Sequence, residues 1–191
     1  MARTNDSAEI GVAIVGCGYI ADSYAQCAPL HAGAIRLMTV HDRDPARAAA
    51  FARVWGVPAA PGLDAVLADP QVRIVVNLTN PESHEAISAA ALAAGKDVYS
   101  EKPLAMTGAA ALRLAEAARA AGRRLAGAPC NLLGEHAQTL WRAVREGVAG
   151  DIRLIYAEMD DGMIHRTAWR NWRRLCSMLF PAVSIVTSAR P

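Results

Sequence analysis

The chain has 191 residues, 53% hydrophobic and 20% charged, a balance typical of a folded globular protein. Its formal net charge of +2, from 20 basic and 18 acidic residues, gives no electrostatic basis for binding nucleic acid or an anionic membrane surface. The four cysteines lack the spacing of a metal site and favour reduced thiols, and the opening segment MARTNDSAEI lacks the apolar region of a signal peptide. These features predict a cytoplasmic protein without a metal ion or a membrane span.

Predicted strands and helices alternate from residue 10 to about residue 160. Short apolar runs predict six strands, over 11–16, 34–42, 72–79, 97–101, 123–130 and 151–161. Segments with helical composition predict helices between them, over 19–31, 45–56, 62–69, 81–95, 108–122 and 134–147. This order predicts an α/β fold, a doubly wound parallel sheet of the Rossmann type with right-handed crossovers.

Local signals mark several helix ends. Asp44 is placed to cap a helix whose first residue is Pro45, and Thr107 is placed to cap the helix that follows the fourth strand. Gly95 is expected just beyond the end of the helix that begins at Asn80 and Pro81. After about residue 166 the sequence shows no clear period and no caps, so we expect an irregular tail there.

A glycine-rich loop follows the first predicted strand. Gly16, Gly18 and Ala21 form a GxGxxA pattern that includes Tyr19 and Ile20. In a dinucleotide-binding loop, the first glycine permits the tight turn, the second lets backbone amides approach a pyrophosphate, and the small third residue allows close packing of helix and sheet. Because glycines also mark ordinary strand-to-helix turns, the loop has two interpretations, of which dinucleotide binding fits the surrounding strand order.

An acidic residue, Asp42, ends the second predicted strand, where it can hold the hydroxyls of an adenosine ribose. A carboxylate there favours NAD, since it repels the 2′-phosphate of NADP. The neighbouring Arg43 can accept that phosphate, so NADP stays open as the cofactor.

Two further loops are expected at the same edge of the sheet, because ligands of this fold bind beyond the carboxyl ends of the strands. One contains Thr79, Asn80 and Pro81, and the other contains Glu101, Lys102 and Pro103. Nearly all the basic residues of the chain are arginines, and the only lysines are at positions 96 and 102. A lysine can release its proton, whereas an arginine effectively cannot, so a lysine in this loop indicates a proton donor.

Together these motifs resemble the Gfo/Idh/MocA oxidoreductases, the group of glucose–fructose oxidoreductase and inositol dehydrogenase. The resemblance covers about residues 10–166, and the EKP tripeptide at 101–103 is its most specific element. It implies a two-domain enzyme that moves hydride between a nicotinamide and a sugar or polyol carbon. The matching segments are VGCGYIA, VHDRDPARA, NLTNPESHEA, AGKDVYSEKPLAMT and GEHAQTLWRAVREGVAGDIRLIYAE.

The resemblance also implies roles for individual residues. Lys102 would lie beside the nicotinamide and the reacting hydroxyl and pass a proton, with Glu101 orienting its ammonium group. The segment Asn80–Pro81 and His84 would lie near the cofactor ribose, and Asn131 near the substrate and the nicotinamide. The remaining cofactor-binding candidates are the loop residues named above, Gly16, Gly18, Tyr19, Ile20, Ala21, Asp42, Arg43 and Thr79.

Simpler interpretations stay open for some of these residues. Lys102 can be a solvated cation paired with Glu101, and His84 can be an ordinary residue on a helix surface. Asp161 and His165 can line a substrate pocket or can be exposed polar residues of a loop.

The resemblance divides the chain into three segments. Residues 1–130 are expected to form an NAD(P)-binding Rossmann domain, 131–166 the start of an α+β substrate domain, and 167–191 an irregular tail of a truncated or frameshifted product.

The sequence thus predicts an NAD(P)-dependent oxidoreductase acting on a small sugar, polyol or related alcohol, with its activity at this length left open. With little of the second domain, we do not expect the homo-oligomer typical of the family. The alternative is a nucleotide-binding module without catalysis, or a degenerate fragment.

Overall fold

The computed structural model describes residues 9–128 and 133–156. The chain divides into two units, Met1–Asn131 and Leu132–Pro191. The three-segment division drawn from the sequence stays a prediction. Among the described residues, no helix is long and apolar enough to cross a membrane.

The first unit contains a five-stranded parallel sheet. Its strands are β1 (Ile10–Val15), β2 (Ile35–His41), β3 (Ile74–Asn77), β4 (Asp97–Ser100) and β5 (Leu125–Gly127). They lie in the order β2-β1-β3-β4-β5, so the direction of winding reverses between β1 and β3. The α/β, doubly wound parallel sheet predicted from the sequence is therefore confirmed.

Helices connect successive strands of this sheet. They are α1 (Tyr19–Cys27), α2 (Pro45–Trp55), α3 (Leu63–Ala68), α4 (Pro81–Ala93) and α5 (Gly108–Ala120). A short 3₁₀ helix, Ala28–His31, extends α1 toward β2. The third, fourth and fifth strands are shorter than predicted, and residues 129 and 130 of the predicted fifth strand lie outside the described residues.

Alternate residues of β1 belong to two separate hydrophobic clusters, one on each face of the sheet, as the two-residue period of a strand requires. Ala13 and Val15 pack on the face covered by α3, α4 and α5, where Leu92 and Leu114 are buried. Ile14 packs on the other face, with buried residues of α1 and α2. Both faces of the sheet are therefore covered, as a parallel sheet normally requires.

The predicted helix caps are confirmed. The Asp44 carboxylate accepts a hydrogen bond from the amide of Ala46 at 3.0 Å, and the Thr107 hydroxyl accepts one from Ala110 at 3.2 Å. Gly95 follows α4 with φ of +74°, the left-handed conformation that favours glycine.

An irregular segment covers the outer edge of β2. The amide of Val40 donates to the carbonyl of Pro58 at 3.0 Å, and the amide of Ala60 donates back to the carbonyl of Val40 at 2.8 Å. A parallel bridge joins Val40 to Ala59, so residues 58–60 occupy the place of one further strand. This pairing was not predicted from the sequence, because the segment is short, begins with Pro58 and is followed by Pro61.

The second unit contains one described helix, α6 (Glu135–Arg145). The prediction of a sixth strand over 151–161 is wrong for residues 151–156, which form no strand, and the rest of it lies outside the described residues. Ile152, Leu154 and Tyr156 alternate as in a strand, but each is at least 36% exposed. A strand forms only with a paired neighbour, and none pairs with this segment in the described part of the unit.

Candidate active site

Four chain segments meet at the carboxyl edge of the sheet. Gly16 follows β1, Asp42 follows β2, Thr79 lies two residues beyond β3, and Glu101 follows β4. Because these strands are parallel and adjacent, their loops lie side by side at one edge. The structure therefore brings together the glycine loop, the acidic residue and both of the further loops selected from the sequence.

Gly16 packs directly against the segment that follows β3. Its φ is +98°, and a β-carbon built on it would lie 2.6 Å from the backbone carbon and oxygen of Leu78. No such contact is tolerated in a folded protein, so this position requires glycine for both conformation and space. Glycine at position 16 therefore allows the loop after β1 to lie directly against the segment after β3.

Gly18 faces open space. A β-carbon built on it would have no other atom within 4 Å, and no side chain caps the helix α1 that begins after it. The next residues, Tyr19 and Ile20, are exposed, whereas Ala21 is fully buried against the sheet. An uncapped helix N-terminus with a bare backbone in front of it fits a phosphate group, because the amides and the positive end of the helix dipole are accessible.

Asp42 is buried and fastens the glycine loop to the end of β2. One carboxylate oxygen accepts from the amide of Cys17 at 2.9 Å, and the other accepts from the amide of Asp44 at 2.8 Å. Arg47 donates to the same carboxylate at 3.3 Å. Arg47 also contacts the second oxygen, at 3.4 Å. A carboxylate has about four lone-pair positions, and all are in contact with these donors, so a ribose hydroxyl would have to replace the half-exposed Arg47.

Arg47 is the residue at this position that sequence reasoning missed. Its side chain is 51% exposed and forms ion pairs with both Asp42 and Asp44. The neighbouring Arg43, which the sequence suggested as a phosphate ligand, is also exposed. The signal available in the sequence was helical spacing, since Arg47 lies three residues after the Asp44 cap.

Cys17, between the two loop glycines, is a protonated thiol. Burial, together with the negative charge of Asp42, raises the pKa of Cys17 to about 12. Its sulfur lies 3.7 Å from the carbonyl oxygen of His41, to which it donates. The thiol therefore serves as a small buried group of the loop, not as a nucleophile.

The loop after β3 rests on a buried asparagine. The side-chain oxygen of Asn77 accepts from the hydroxyl of Thr79 at 2.6 Å and from its amide at 3.3 Å. The side-chain nitrogen of Asn77 donates to the hydroxyl of Ser88 and to the carbonyl of His84, both at 3.1 Å. This network fixes the entry into α4, where Asn80 is the exposed N-cap residue and Pro81 is the first residue of the helix.

His84 is not a helix-surface residue, since only 1% of it is exposed. Its Nδ1 lies 2.6 Å from the carbonyl oxygen of Pro103, and its Nε2 lies 2.9 Å from the carbonyl oxygen of Thr79. The ring therefore lies between the two loops that follow β3 and β4. The alanine-rich sequence of α4 gave no contrast between faces that would have predicted this burial.

Glu101 is hydrogen-bonded to the helix that follows the glycine loop. Its carboxylate accepts from the hydroxyl of Tyr24 in α1 at 2.9 Å and from the backbone amide of Lys102 at 3.0 Å. Lys102 is partly exposed and precedes Pro103 through a cis peptide bond. An orientation of the Lys102 ammonium by Glu101 stays a prediction, as does the role of Lys102 itself.

Three candidates lie outside the described residues, namely Asn131, Asp161 and His165. Within the described ranges, no group of three or more His, Cys, Asp or Glu side chains is placed to hold a metal ion. The site presents backbone amides, the acidic residues Asp42 and Glu101, and the partly exposed Lys102.

Comparison with protein families shows which family the chain is part of. Residues 10–128 match the Gfo/Idh/MocA model, described as an oxidoreductase family with an NAD-binding Rossmann fold. The match covers more than half of the chain. The chain belongs to this family. The resemblance drawn from the sequence motifs is thereby confirmed.

Curated members of the Gfo/Idh/MocA family align with the same region. The chain is 38% identical over 122 residues to the inositol 2-dehydrogenase of Acidothermus cellulolyticus, an alignment covering 63% of this chain and 35% of the relative. The aligned region thus spans about a third of the length of the curated relatives.

Solved structures of similar proteins contain nicotinamide cofactors. GenD2 from gentamicin A biosynthesis, in complex with NAD, matches with a TM-score of 0.71 and 31% identity, over 76% of this chain and 42% of that one. The WlbA dehydrogenase from Bordetella pertussis, in complex with NADH and UDP-GlcNAcA, matches with a TM-score of 0.71 and 26% identity, over 76% and 44% of the two chains.

Proposed function

We propose that this chain is the cofactor-binding part of an NAD-dependent dehydrogenase that oxidises a secondary alcohol of a sugar, polyol or related compound. The observation that carries the proposal is the position of Lys102, partly exposed at the same sheet edge as the open backbone at Gly18. Family membership supports the choice of cofactor, since the family has an NAD-binding Rossmann fold.

The cofactor would be held by groups that the loops already present. The amides at the start of α1 would bind the pyrophosphate, with Gly18 allowing close approach. Asp42 would accept from the adenosine ribose, and the exposed Tyr19 and Ile20 would cover part of the dinucleotide. The loop of Thr79, Asn80 and Pro81 would lie along its other side, toward the nicotinamide.

Lys102 would handle the proton of the reaction. Oxidation of an alcohol to a ketone releases a hydride from carbon and a proton from oxygen. The bound nicotinamide supplies the hydride acceptor. In the oxidation the neutral amine of Lys102 would accept the hydroxyl proton and become an ammonium group, and in the reverse reduction that ammonium would return the proton; arginine is excluded because it does not release its proton.

The substrate class rests on the relatives. The curated relatives are inositol 2-dehydrogenases, and one structural neighbour was solved with a sugar nucleotide. Both kinds of compound carry a secondary alcohol in a six-membered ring. The division into a Rossmann domain, residues 1–130, and the start of a substrate domain, residues 131–166, is part of the proposal, as is a role for Asn131 near the substrate.

The scarcity of lysine allows a direct test. Lys96 and Lys102 are the only lysines, and Lys96 is buried, with its Nζ donating to the carbonyl of Asp69. An amine-acylating reagent, read by mass spectrometry at each site, therefore reports on Lys102, with Lys96 as an internal control. We expect saturating NADH to slow acylation of Lys102 about tenfold and to leave Lys96 unchanged.

Three further measurements complete the test. NADH fluorescence titration should show binding that is lost in Gly18→Val, and an NAD-linked assay with inositol and related polyols measures the turnover that the chain supports. Lys102→Arg should bind NADH as the wild type does but lose about 10²-fold or more in turnover. Binding of NADH without protection of Lys102 and without turnover would instead support a non-catalytic nucleotide-binding module.

A further inference from the structure

His84 lies under both loops that flank the proposed nicotinamide position. It belongs to α4, yet its ring contacts Thr79 before the helix and Pro103 in the loop after β4. The two contacts join segments 24 residues apart, Thr79 and Pro103, through one fully buried side chain. Other bonds between these loops come from backbone pairing, such as the amide of Glu101 donating to the carbonyl of Asn77 at 2.9 Å.

Both partners of the ring are backbone carbonyl oxygens, which can only accept hydrogen bonds. A ring nitrogen bonds such an oxygen only if it carries a hydrogen. A neutral imidazole has one N–H and can therefore satisfy one of the two contacts, whereas the imidazolium cation has two N–H groups and satisfies both, with its charge facing the two carbonyl oxygens. A nitrogen lone pair 2.6 or 2.9 Å from a carbonyl oxygen would be repulsive.

We propose that His84 is a positioning residue that clamps the Lys102–Pro103 loop to the Thr79–Pro81 loop by donating from both ring nitrogens. The clamp acts one residue away from Lys102, because Pro103 supplies the carbonyl. It acts at the same time on the loop that would lie beside the nicotinamide. His84 would then fix the distance between the proton-transfer residue and the cofactor without touching either. The purpose of the clamp depends on the proposed function. The clamp itself consists of contacts within the protein and needs no bound ligand.

Ser88 provides a matched control. It lies in the same helix, is fully buried, and bonds the side-chain nitrogen of Asn77, so it supports the first loop but has no bond to the second. Replacing Ser88 by Ala removes a buried hydrogen bond of similar kind without breaking the clamp. A difference between the His84 and Ser88 variants therefore isolates the link to Pro103.

Hydrogen exchange of the 191-residue chain, measured by mass spectrometry, tests the clamp. In His84→Ala we expect exchange in residues 101–107 to rise about tenfold or more, with the strands β1 and β2 unchanged. In Ser88→Ala exchange in 101–107 should stay at the wild-type value. Acylation of Lys102 should change in His84→Ala and not in Ser88→Ala. Equal exchange of 101–107 in the two variants would overturn the proposal.

A second measurement uses the wild-type protein and is independent of how the Ala variant folds. Nitrogen-15 NMR of the histidine rings, with His84 identified among the 5 histidines by its loss in His84→Gln, should show hydrogen on both ring nitrogens. A single N–H on this ring would overturn the double-donor clamp. If exchange supports the clamp while the wild type fails to bind NADH, the clamp stands and the proposed function fails.

Discussion

The hydroxyl of Tyr24 donates to the carboxylate of Glu101 over 2.9 Å, and the two residues are 77 positions apart in the chain. Tyr24 lies in the helix that begins at the glycine loop, and Glu101 immediately precedes Lys102. The bond therefore links the proposed phosphate-binding end of the site to the proposed catalytic end. Burial, with the hydrogen bond and charge of Glu101, raises the pKa of Tyr24 far above its usual value, so the phenol remains a donor.

Tyr24→Phe should loosen Glu101 and the residue that follows it. The change keeps the aromatic ring near Tyr99 but leaves one carboxylate oxygen without its phenolic donor. We expect a loss of about 1 kcal/mol in the free energy of unfolding and faster acylation of Lys102. Thermal unfolding and site-resolved acylation measure the two effects. Unchanged acylation would show that Tyr24 does not influence Lys102.

The two loop glycines should respond in opposite ways to substitution. Gly16→Ala places a β-carbon 2.6 Å from the Leu78 backbone and should destabilise the fold by at least about 2 kcal/mol. At Gly18 an added β-carbon meets nothing within 4 Å, so Gly18→Val should leave thermal unfolding nearly unchanged and abolish NADH binding. Urea unfolding and NADH fluorescence separate the two outcomes. Normal NADH affinity in folded Gly18→Val would contradict the phosphate-site assignment.

Asp42 and Arg47 should set the cofactor preference in opposite directions. Asp42→Ala removes the carboxylate that would repel a 2′-phosphate and leaves Arg47 without this partner, so the ratio of NADPH to NADH affinity should rise. Because Asp42 also accepts from the amides of Cys17 and Asp44, the variant should be less stable as well.

Arg47→Ala is the control for that experiment. It retains the carboxylate and removes a cation, so the NADPH-to-NADH ratio should fall while stability changes by less than about 1 kcal/mol. Parallel titrations with both cofactors measure the ratio. A wild type that already prefers NADPH would show that the arginines, not Asp42, control the choice.

The thiol of Cys17 should resist alkylation well into the alkaline range. The thiolate is the reactive form, and the pKa of Cys17 is raised to about 12, so almost none is present at pH 8 or pH 9. Cys27 is exposed and should react with iodoacetamide at both pH values. Peptide mapping after brief alkylation of the native protein distinguishes the two sites. Modification of Cys17 as fast as Cys27 would contradict the buried loop geometry.

The sequence predicted the features that depend on local chemistry. Caps such as Asp44 and Thr107, and the glycine at position 95, are encoded within a few residues of the helix end that they mark. The doubly wound parallel sheet followed from the alternation of helices and strands, since parallel strands need crossover connections of one hand. The glycine loop was recognisable because its residues are contiguous in the chain.

The features that the sequence did not predict depend on distant contacts. Tyr24 reaches Glu101, and His84 reaches Pro103, only after the sheet has placed their elements side by side. Within residues 151–156, the strand predicted over 151–161 failed for the same reason, because an alternating pattern cannot specify a pairing partner. Contacts between residues far apart in the chain therefore could not be predicted from single segments.

The segment that covers the edge of β2 has a consequence for self-association. Pro58 lacks a backbone hydrogen, and its carbonyl is already taken by Val40 and by the hydroxyl of Thr39 at 3.1 Å. At Val40 the edge is thus blocked to a strand from another molecule, which would need a continuous row of free amides and carbonyls. Strand addition across Val40 would require residues 58–60 to detach first, so the segment hinders edge-to-edge polymerisation at this side of the sheet.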